Sequence, residues 1–321
     1  MKSATVILHA DNPDAALEVL SHDHGYLEFH GCDSYDALPN LIFETQAEVV
    51  YSVRFAGSSG FPREALINAP SVKWVSIGGS GTDHMTPWDP AQLTVTNAAG
   101  VAADMMSQYA LGAMLHFSLG FPQFHAAQQR REWVSGKVEP IDGKTVLILG
   151  LGKTGEAVAA RAKALDMTTI GVRARPKATP NVDEVYGMQA LPDLWARADF
   201  IVVCVPLLDT TRGLVGAAAF AAMKETTVII DVSRGGVIDT QHLLAALDAG
   251  RLGGAALDVF PTEPLPVEHP IWGYDNVIVT PHCSSVYDGW DLKAVKMFSE
   301  NLKRYRDGKT LSNIVNPERG Y

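Results

Sequence analysis

The chain lacks the cysteine patterns that mark a disulfide-stabilised or zinc-stabilised fold. It has 3 cysteines, Cys32, Cys204 and Cys283, and no CxxC pair. An odd number of widely separated cysteines predicts neither a disulfide framework nor a structural zinc site. We therefore expect no metal centre and a cytoplasmic location.

Positive charge and long uninterrupted apolar segments are also scarce. The chain has 26 Lys and Arg against 36 Asp and Glu, so its formal net charge is −10. This balance argues against nucleic acid or an anionic membrane as a partner. The longest apolar region, residues 101–121, is interrupted by Asp104, Gln108 and His116, which is typical of a buried helix and not of a membrane span.

Short apolar runs alternate with helical patterns, which predicts an α/β protein with parallel sheets. The first part of the chain predicts strands at Thr5–Leu8, Ala47–Val53, Val72–Ile77 and Leu93–Thr96. A long apolar helix begins near Gly100, and further strands are predicted at Thr145–Leu149, Thr168–Val172, Phe200–Val205, Val228–Val232, Gly254–Leu257 and Val277–Thr280. The second series is sufficient for a dinucleotide-binding sheet. A last helix, from about Gly289, is expected to pack on the N-terminal unit.

A glycine-rich loop follows the first strand of this second series. The string GLGKTG contains Gly150, Gly152, Lys153, Thr154 and Gly155, and it joins the strand VLIL to the helical stretch EAVAARAKAL. Glycines there permit a tight turn and close approach of the backbone to a pyrophosphate, while the helix N-terminus supplies N–H donors. The segment predicts a nucleotide-binding loop.

The next strand ends in a basic residue where an acidic one would hold the ribose 2′-hydroxyl of NAD. Arg173 stands there, and Arg175 and Lys177 follow in the string GVRARPK. Guanidinium groups bind phosphate through paired, charge-assisted hydrogen bonds, which favours the 2′-phosphate of NADP(H). The alternative interpretation is a solvated basic turn.

Three polar residues lie at or just beyond the carboxyl ends of later strands. They are Arg234 in IIDVSRGG, Glu263 in ALDVFPTEP and His282 in VIVTPHCSS. Open parallel sheets bind ligands along that edge. A cation, a carboxylate and a histidine beside a dinucleotide loop could move a proton while a cofactor moves a hydride.

These motifs, in this order, resemble those of the D-isomer-specific 2-hydroxyacid dehydrogenase family over almost the whole chain. GLGKTG resembles its dinucleotide loop, DVSRGGVID its arginine motif, ALDVFPTEPLP its carboxylate motif and NVIVTPHCSS its histidine motif. The resemblance implies two Rossmann-like or flavodoxin-like α/β domains with parallel sheets. It places a nucleotide-binding domain at residues 99–287, inserted into a discontinuous substrate domain at residues 1–98 and 288–321.

The resemblance also implies roles for individual residues. His282 would give a proton to the substrate carbonyl oxygen, Glu263 would orient the imidazole, and Arg234 would bind the carboxylate of a 2-oxo acid. Further cofactor contacts are implied at Val205, Pro206, Thr211, Val232, Ser233 and Asp258.

In the N-terminal domain, GGSGTDHM resembles the family's substrate loop. The backbone N–H groups of Ser80 and Gly81 would hold the substrate carboxylate. Arg54 could line the same cleft or form a surface salt bridge, and both alternatives stay open.

Together these features predict a homodimeric, NADP-preferring reductase of small 2-oxo acids, with NAD possible and with glyoxylate and hydroxypyruvate as the expected substrate class. The alternative is a non-catalytic, NAD(P)-responsive regulator of the corepressor type on the same fold.

Overall fold

The chain divides into two compact units in the computed structural model, which describes residues 4–55 and 60–317. The first unit is Met1–Val101 with Tyr287–Tyr321, and the second is Ala102–Val286. The sequence predicts the two boundaries after residues 98 and 287.

Strands and helices alternate along most of the described residues. The strands are β1 (Thr5–His9), β2 (Glu28–Cys32), β3 (Val49–Ser52), β4 (Trp74–Ile77), β5 (Thr94–Asn97), β6 (Thr145–Leu149), β7 (Thr168–Val172), β8 (Glu184–Tyr186), β9 (Phe200–Val203), β10 (Val228–Asp231), β11 (Gly254–Leu257) and β12 (Val277–Val279). The α-helices are α1 (Asp14–Asp23), α2 (Leu38–Thr45), α3 (Arg63–Asn68), α4 (Ala103–Ser118), α5 (Phe121–Gln129), α6 (Lys153–Lys163), α7 (Leu191–Leu194), α8 (Ala217–Ala222), α9 (Thr240–Asp248) and α10 (Trp290–Arg306).

The first unit is built on a parallel sheet in the order β2-β1-β3-β4-β5. This is one of the two common orders of doubly wound sheets. Its central strands are continuous apolar runs because helices cover both faces. One covering helix is α10, whose Val295, Phe298 and Leu302 pack with Trp74 of β4. The C-terminal segment therefore contributes to the core of the first unit.

The second unit is built on a parallel sheet in the order β12-β11-β10-β9-β6-β7-β8. The order reverses between β6 and β9, and doubly wound sheets bind their ligands at such a switch point. On one face α4 and α6 pack on the sheet through Ala110, Met114, Val158 and Ala162. The α/β fold class with two parallel sheets is confirmed.

None of the helices within residues 4–55 and 60–317 has the combination of length and apolar character that a membrane crossing requires.

Candidate active site

The glycine loop lies at the switch point of the second sheet. Gly150 follows β6 directly with φ 98°, a left-handed conformation that favours glycine. A Cβ atom at Gly155 would lie 2.0 Å from the carbonyl oxygen of Gly150, so the first turn of α6 can approach the loop only without a side chain. Gly152 is the N-cap residue of α6, and a Cβ added there would meet none of the described atoms within 4 Å. Lys153 and Thr154 begin the helix, whose N–H groups suit a phosphate.

The loop after β9 carries three of the predicted cofactor contacts. Val205 and Thr211 are buried there, and Pro206 is half-buried. The Thr211 hydroxyl donates to the carbonyl oxygen of Pro206 at 2.6 Å and accepts the Leu208 N–H at 2.8 Å. The Thr211 side chain thus fixes the conformation of this loop, which lies beside the switch point, by bonding to two of the loop's own backbone groups.

The basic segment begins where β7 ends. Arg173 is half-buried, its N–H donates to the Tyr186 carbonyl at 3.0 Å, and its Nη1 lies 3.5 Å from Thr179 Oγ1. Arg175 and Lys177 are exposed. The turn therefore presents three cations at the carboxyl edge of the strand adjacent to β6.

Arg234 stands on a loop that a buried carboxyl group holds in place. Asp231, the last residue of β10, accepts the Ser233 N–H at 2.9 Å and the Ser233 hydroxyl at 2.5 Å. Burial raises the pKa of Asp231 to about 7. Val232 and Ser233 are buried, whereas Arg234 is half-buried and donates from Nη1 to the Ser233 carbonyl at 2.8 Å. Sequence analysis did not single out Asp231, although its position at the strand end beside Ser233 was visible.

Gly235 brings the arginine loop against the loop that carries Glu263. A Cβ atom at Gly235 would lie 2.0 Å from the carbonyl carbon and oxygen of Phe260 and 2.4 Å from the nitrogen of Pro261. Any side chain at this position would separate the two backbones. Gly236, two residues after Arg234, has φ 99° and turns the chain toward α9.

Glu263 and His282 form a hydrogen-bonded pair. Glu263 Oε2 lies 2.8 Å from His282 Nδ1, and Oε1 accepts the Phe260 N–H at 2.9 Å. Since a carboxylate only accepts hydrogen bonds, Nδ1 carries a hydrogen and the other ring nitrogen, Nε2, is left to exchange a proton. The side chains are 36% and 39% exposed, so the pair is open to a small molecule.

The three polar residues thus follow three adjacent strands, β10, β11 and β12, at one edge of the second sheet. Asp258, directly after β11, is buried at the same edge. The substrate residues implied by resemblance lie in the first unit. Arg54 is exposed just after β3, and Ser80 and Gly81 follow β4, with the Ser80 carbonyl accepting from Asn97 Nδ2 at 2.7 Å.

Comparisons with known proteins agree on one family. Residues 111–284 match the family model described as "D-isomer specific 2-hydroxyacid dehydrogenase, NAD binding domain". The chain is 34% identical over 261 residues to the D-3-phosphoglycerate dehydrogenase of Methanocaldococcus jannaschii, in an alignment covering 79% of this chain and 49% of that protein. It therefore spans about half the length of that relative. It is 28% identical to the glyoxylate reductase of Aeropyrum pernix, with 99% of this chain and 97% of that protein covered.

Solved structures of the same family have the same fold over the whole chain. A D-isomer specific 2-hydroxyacid dehydrogenase from Xanthobacter autotrophicus, in complex with NADPH, has 29% identity and a TM-score of 0.87, with 99% of this chain and 100% of that chain covered. An NADPH-dependent glyoxylate/hydroxypyruvate reductase from Sinorhizobium meliloti, in complex with NADP, has 26% identity and a TM-score of 0.83, with 100% of both chains covered. The ordered motifs, the sheet order and these matches lead to one conclusion: the chain belongs to the D-isomer specific 2-hydroxyacid dehydrogenase family.

Proposed function

We propose that this protein reduces small 2-oxo acids of the glyoxylate and hydroxypyruvate class to D-2-hydroxy acids, with NADPH as the preferred cofactor. The observation that carries the proposal is the 2.8 Å contact between Glu263 Oε2 and His282 Nδ1 at the carboxyl edge of the second sheet. A histidine held in this way can exchange a proton through Nε2. Glyoxylate reductase and glyoxylate/hydroxypyruvate reductase activities are named for relatives aligned over nearly the whole chain, which supports this substrate class.

Each residue of the set would perform one part of the reaction. In reduction, protonated His282 gives its Nε2 proton to the carbonyl oxygen of the substrate. Glu263 stabilises the imidazolium and keeps Nδ1 turned toward itself. Arg234 binds the substrate carboxylate and polarises the carbonyl group. Ser80, Gly81 and Arg54 stay predicted substrate contacts.

The nicotinamide cofactor, when bound, supplies the hydride. The glycine loop fits such a cofactor for two reasons. Gly150 and Gly155 have no side chains, so the backbone of the loop packs directly against the first turn of α6, and the space beside Gly152 is open. Gly152, Lys153 and Thr154 would bind the pyrophosphate, and Asp258 would accept from the carboxamide. Val205, Pro206, Thr211, Val232 and Ser233 would line the remainder of the cofactor site.

A panel assay tests the proposed function. Oxidation of NADPH would be followed at fixed enzyme concentration with glyoxylate, hydroxypyruvate, pyruvate and bulkier 2-oxo acids. We expect turnover to be fastest with glyoxylate or hydroxypyruvate. Binding of NADPH without turnover of any 2-oxo acid would instead support the regulator alternative.

Cofactor preference should depend on the basic turn after β7. Arg173 is half-buried at the strand end, and Arg175 and Lys177 extend the positive charge. Changing Arg173 to Asp replaces a phosphate ligand with a group that repels phosphate and accepts from a ribose hydroxyl. Steady-state kinetics should therefore show a fall in kcat/KM with NADPH and a rise with NADH.

Arg251 provides the matched control, because it is an exposed arginine of the same unit outside this turn. Arg251→Asp should leave the ratio of the two kcat/KM values unchanged. Wild-type kcat/KM with NADH equal to or above that with NADPH would contradict the assignment.

We also propose that the protein is a homodimer through the second unit. Trp133 is 100% exposed, and Phe121, Val134 and Val138 of the neighbouring segments are 51%, 43% and 52% exposed. Several exposed apolar side chains within one short stretch of the sequence are typical of an interface. Light scattering at micromolar concentration should give twice the chain mass, and Trp133→Glu should shift it toward the monomer. Trp272→Glu, at a tryptophan 53% exposed elsewhere in the unit, is the control. A monomeric wild type would exclude the dimer.

A further inference from the structure

Three polar side chains from three elements of the second unit form a chain of hydrogen bonds beside His282. The Tyr109 hydroxyl on α4 lies 2.9 Å from Thr280 Oγ1, and Thr280 Oγ1 lies 2.6 Å from Asp258 Oδ1. Since the carboxylate can only accept, Thr280 gives it the single hydroxyl hydrogen. Tyr109 must then be the donor to Thr280. Both hydrogen bonds therefore point the same way: Tyr109 on α4 donates to Thr280, and Thr280 donates to Asp258.

Tyr109 is suited to remain a donor. Tyr109 is half-buried, and burial raises the pKa of its hydroxyl to about 12. The phenol therefore keeps its hydrogen throughout the pH range in which enzymes of this kind are assayed.

Asp258 fixes the turn on which His282 stands. Its Oδ1 accepts the Cys283 N–H at 2.9 Å, its Oδ2 accepts the Ser284 N–H at 3.0 Å, and its carbonyl oxygen accepts the His282 N–H at 2.8 Å. Three successive backbone N–H groups thus converge on one buried residue, 1% exposed.

The turn needs such support. His282 has φ 53°, in the left-handed region that residues with a Cβ rarely adopt. Its conformation persists only if neighbouring contacts hold it. The direction of the imidazole toward Glu263 therefore depends on where the Asp258 carboxylate lies.

We propose that Tyr109 is a positioning residue for His282, acting through Thr280 and Asp258. Without the Tyr109 donor, Thr280 is held only by its bond to the Asp258 carboxylate. The Thr280 side chain and the carboxylate can then shift together, so the His282 turn samples other conformations. The consequence for catalysis rests on the proposed function, whereas the consequence for the turn does not. Helix α4 would in this way contribute to the site without touching substrate.

Amide hydrogen exchange in the full chain tests the structural part without any assay of activity. Tyr109→Phe removes only the hydroxyl group. Loss of about one net hydrogen bond should speed exchange at Cys283 and Ser284 by roughly three- to tenfold. Tyr274→Phe is the matched control, since its hydroxyl donates to Asp248 at 2.6 Å outside this network. Equal exchange in the wild type and both variants would overturn the proposal.

A double-mutant cycle tests whether Tyr109 acts on His282 through Thr280. Thr280→Val removes the middle hydroxyl, and Thr280→Ser keeps it. We expect kcat for the reduction to fall by roughly the same three- to tenfold in Tyr109→Phe, with KM for the 2-oxo acid unchanged. The double variant Tyr109→Phe/Thr280→Val should be no slower than Thr280→Val alone, and Thr280→Ser should behave like the wild type. Additive losses would show that Tyr109 does not act through Thr280.

The two proposals fail in different ways. If the wild-type protein reduces no 2-oxo acid, the proposed function is wrong, and the exchange rates at Cys283 and Ser284 still decide the role of Tyr109. If the wild type is active and these amides exchange equally in Tyr109→Phe, the positioning role is wrong and the proposed function stands.

Discussion

Replacing His282 by alanine should lower kcat for 2-oxo acid reduction by about a hundred- to ten-thousand-fold, the range that a positioned general acid contributes. The reason is geometric, because Glu263 accepts from Nδ1 and leaves Nε2 to exchange the proton in the proposed reaction. Binding of NADPH, measured by fluorescence titration, should change little. The predicted pyrophosphate contacts lie on the loop between β6 and α6, and the histidine follows β12.

His242 offers a control of the same chemistry. Its Nδ1 lies 3.0 Å from a carboxylate oxygen of Asp239, the N-cap residue of α9, so it is also a histidine paired with an acid in the second unit. His242→Ala should keep kcat within about twofold of the wild type, as is usual for an exposed residue outside a site. A kcat near that of the wild type in His282→Ala would show that the proton comes from another group.

Replacing Arg234 by lysine should raise KM for the 2-oxo acid on the order of ten- to a hundredfold, because a lysine cannot make the paired hydrogen bonds of a guanidinium to a carboxylate. The guanidinium of Arg234 is anchored by its Nη1 bond to the Ser233 carbonyl. A lysine has a single nitrogen and cannot keep this bond while also pairing with the substrate carboxylate in the same geometry. Initial rates over a wide range of substrate concentrations would separate KM from kcat.

Arg251→Lys serves as the control for this change, since Arg251 is exposed and donates to the Ala221 carbonyl away from the site. Its KM should match the wild-type value. An unchanged KM in Arg234→Lys would mean that the substrate carboxylate is bound by other residues.

The buried strands could be predicted from the sequence to within two residues at each end, whereas two of the edge strands, β2 and β8, could not be predicted. β6, β7 and β11 have the predicted bounds because each is a short apolar run covered on both faces. The edge strand β2 was missed, since only Cys32 of its residues is buried and its sequence EFHGC has no apolar run. The same reason applies to β8, a three-residue edge strand with no fully buried side chain.

The sequence predicts which strand ends carry the polar residues of the candidate site, but it does not predict the hydrogen bonds that hold those residues. Parallel strands deliver their carboxyl ends to one edge, so the sequence places Arg234, Glu263 and His282 together. The bond between Tyr109 and Thr280 joins residues 171 positions apart, and no periodicity signals it. The left-handed turn at His282 was equally hidden, because its support comes from Asp258 on another strand.

The central claim is that His282 donates the proton under the influence of the Glu263 carboxylate, and the pH dependence of kcat in Glu263→Gln tests it most directly. The single amide oxygen of glutamine can keep the bond from the Phe260 N–H, so the loop keeps its anchor. The NH2 group, a donor, then faces His282 Nδ1 in place of the carboxylate oxygen that accepts from it in the wild type. Because His282 must be protonated to donate, the rate of reduction falls as pH rises. Removing the adjacent negative charge makes the imidazolium less stable. The account predicts that the falling limb moves to lower pH in Glu263→Gln than in the wild type. Superimposable pH profiles in the two proteins would contradict it.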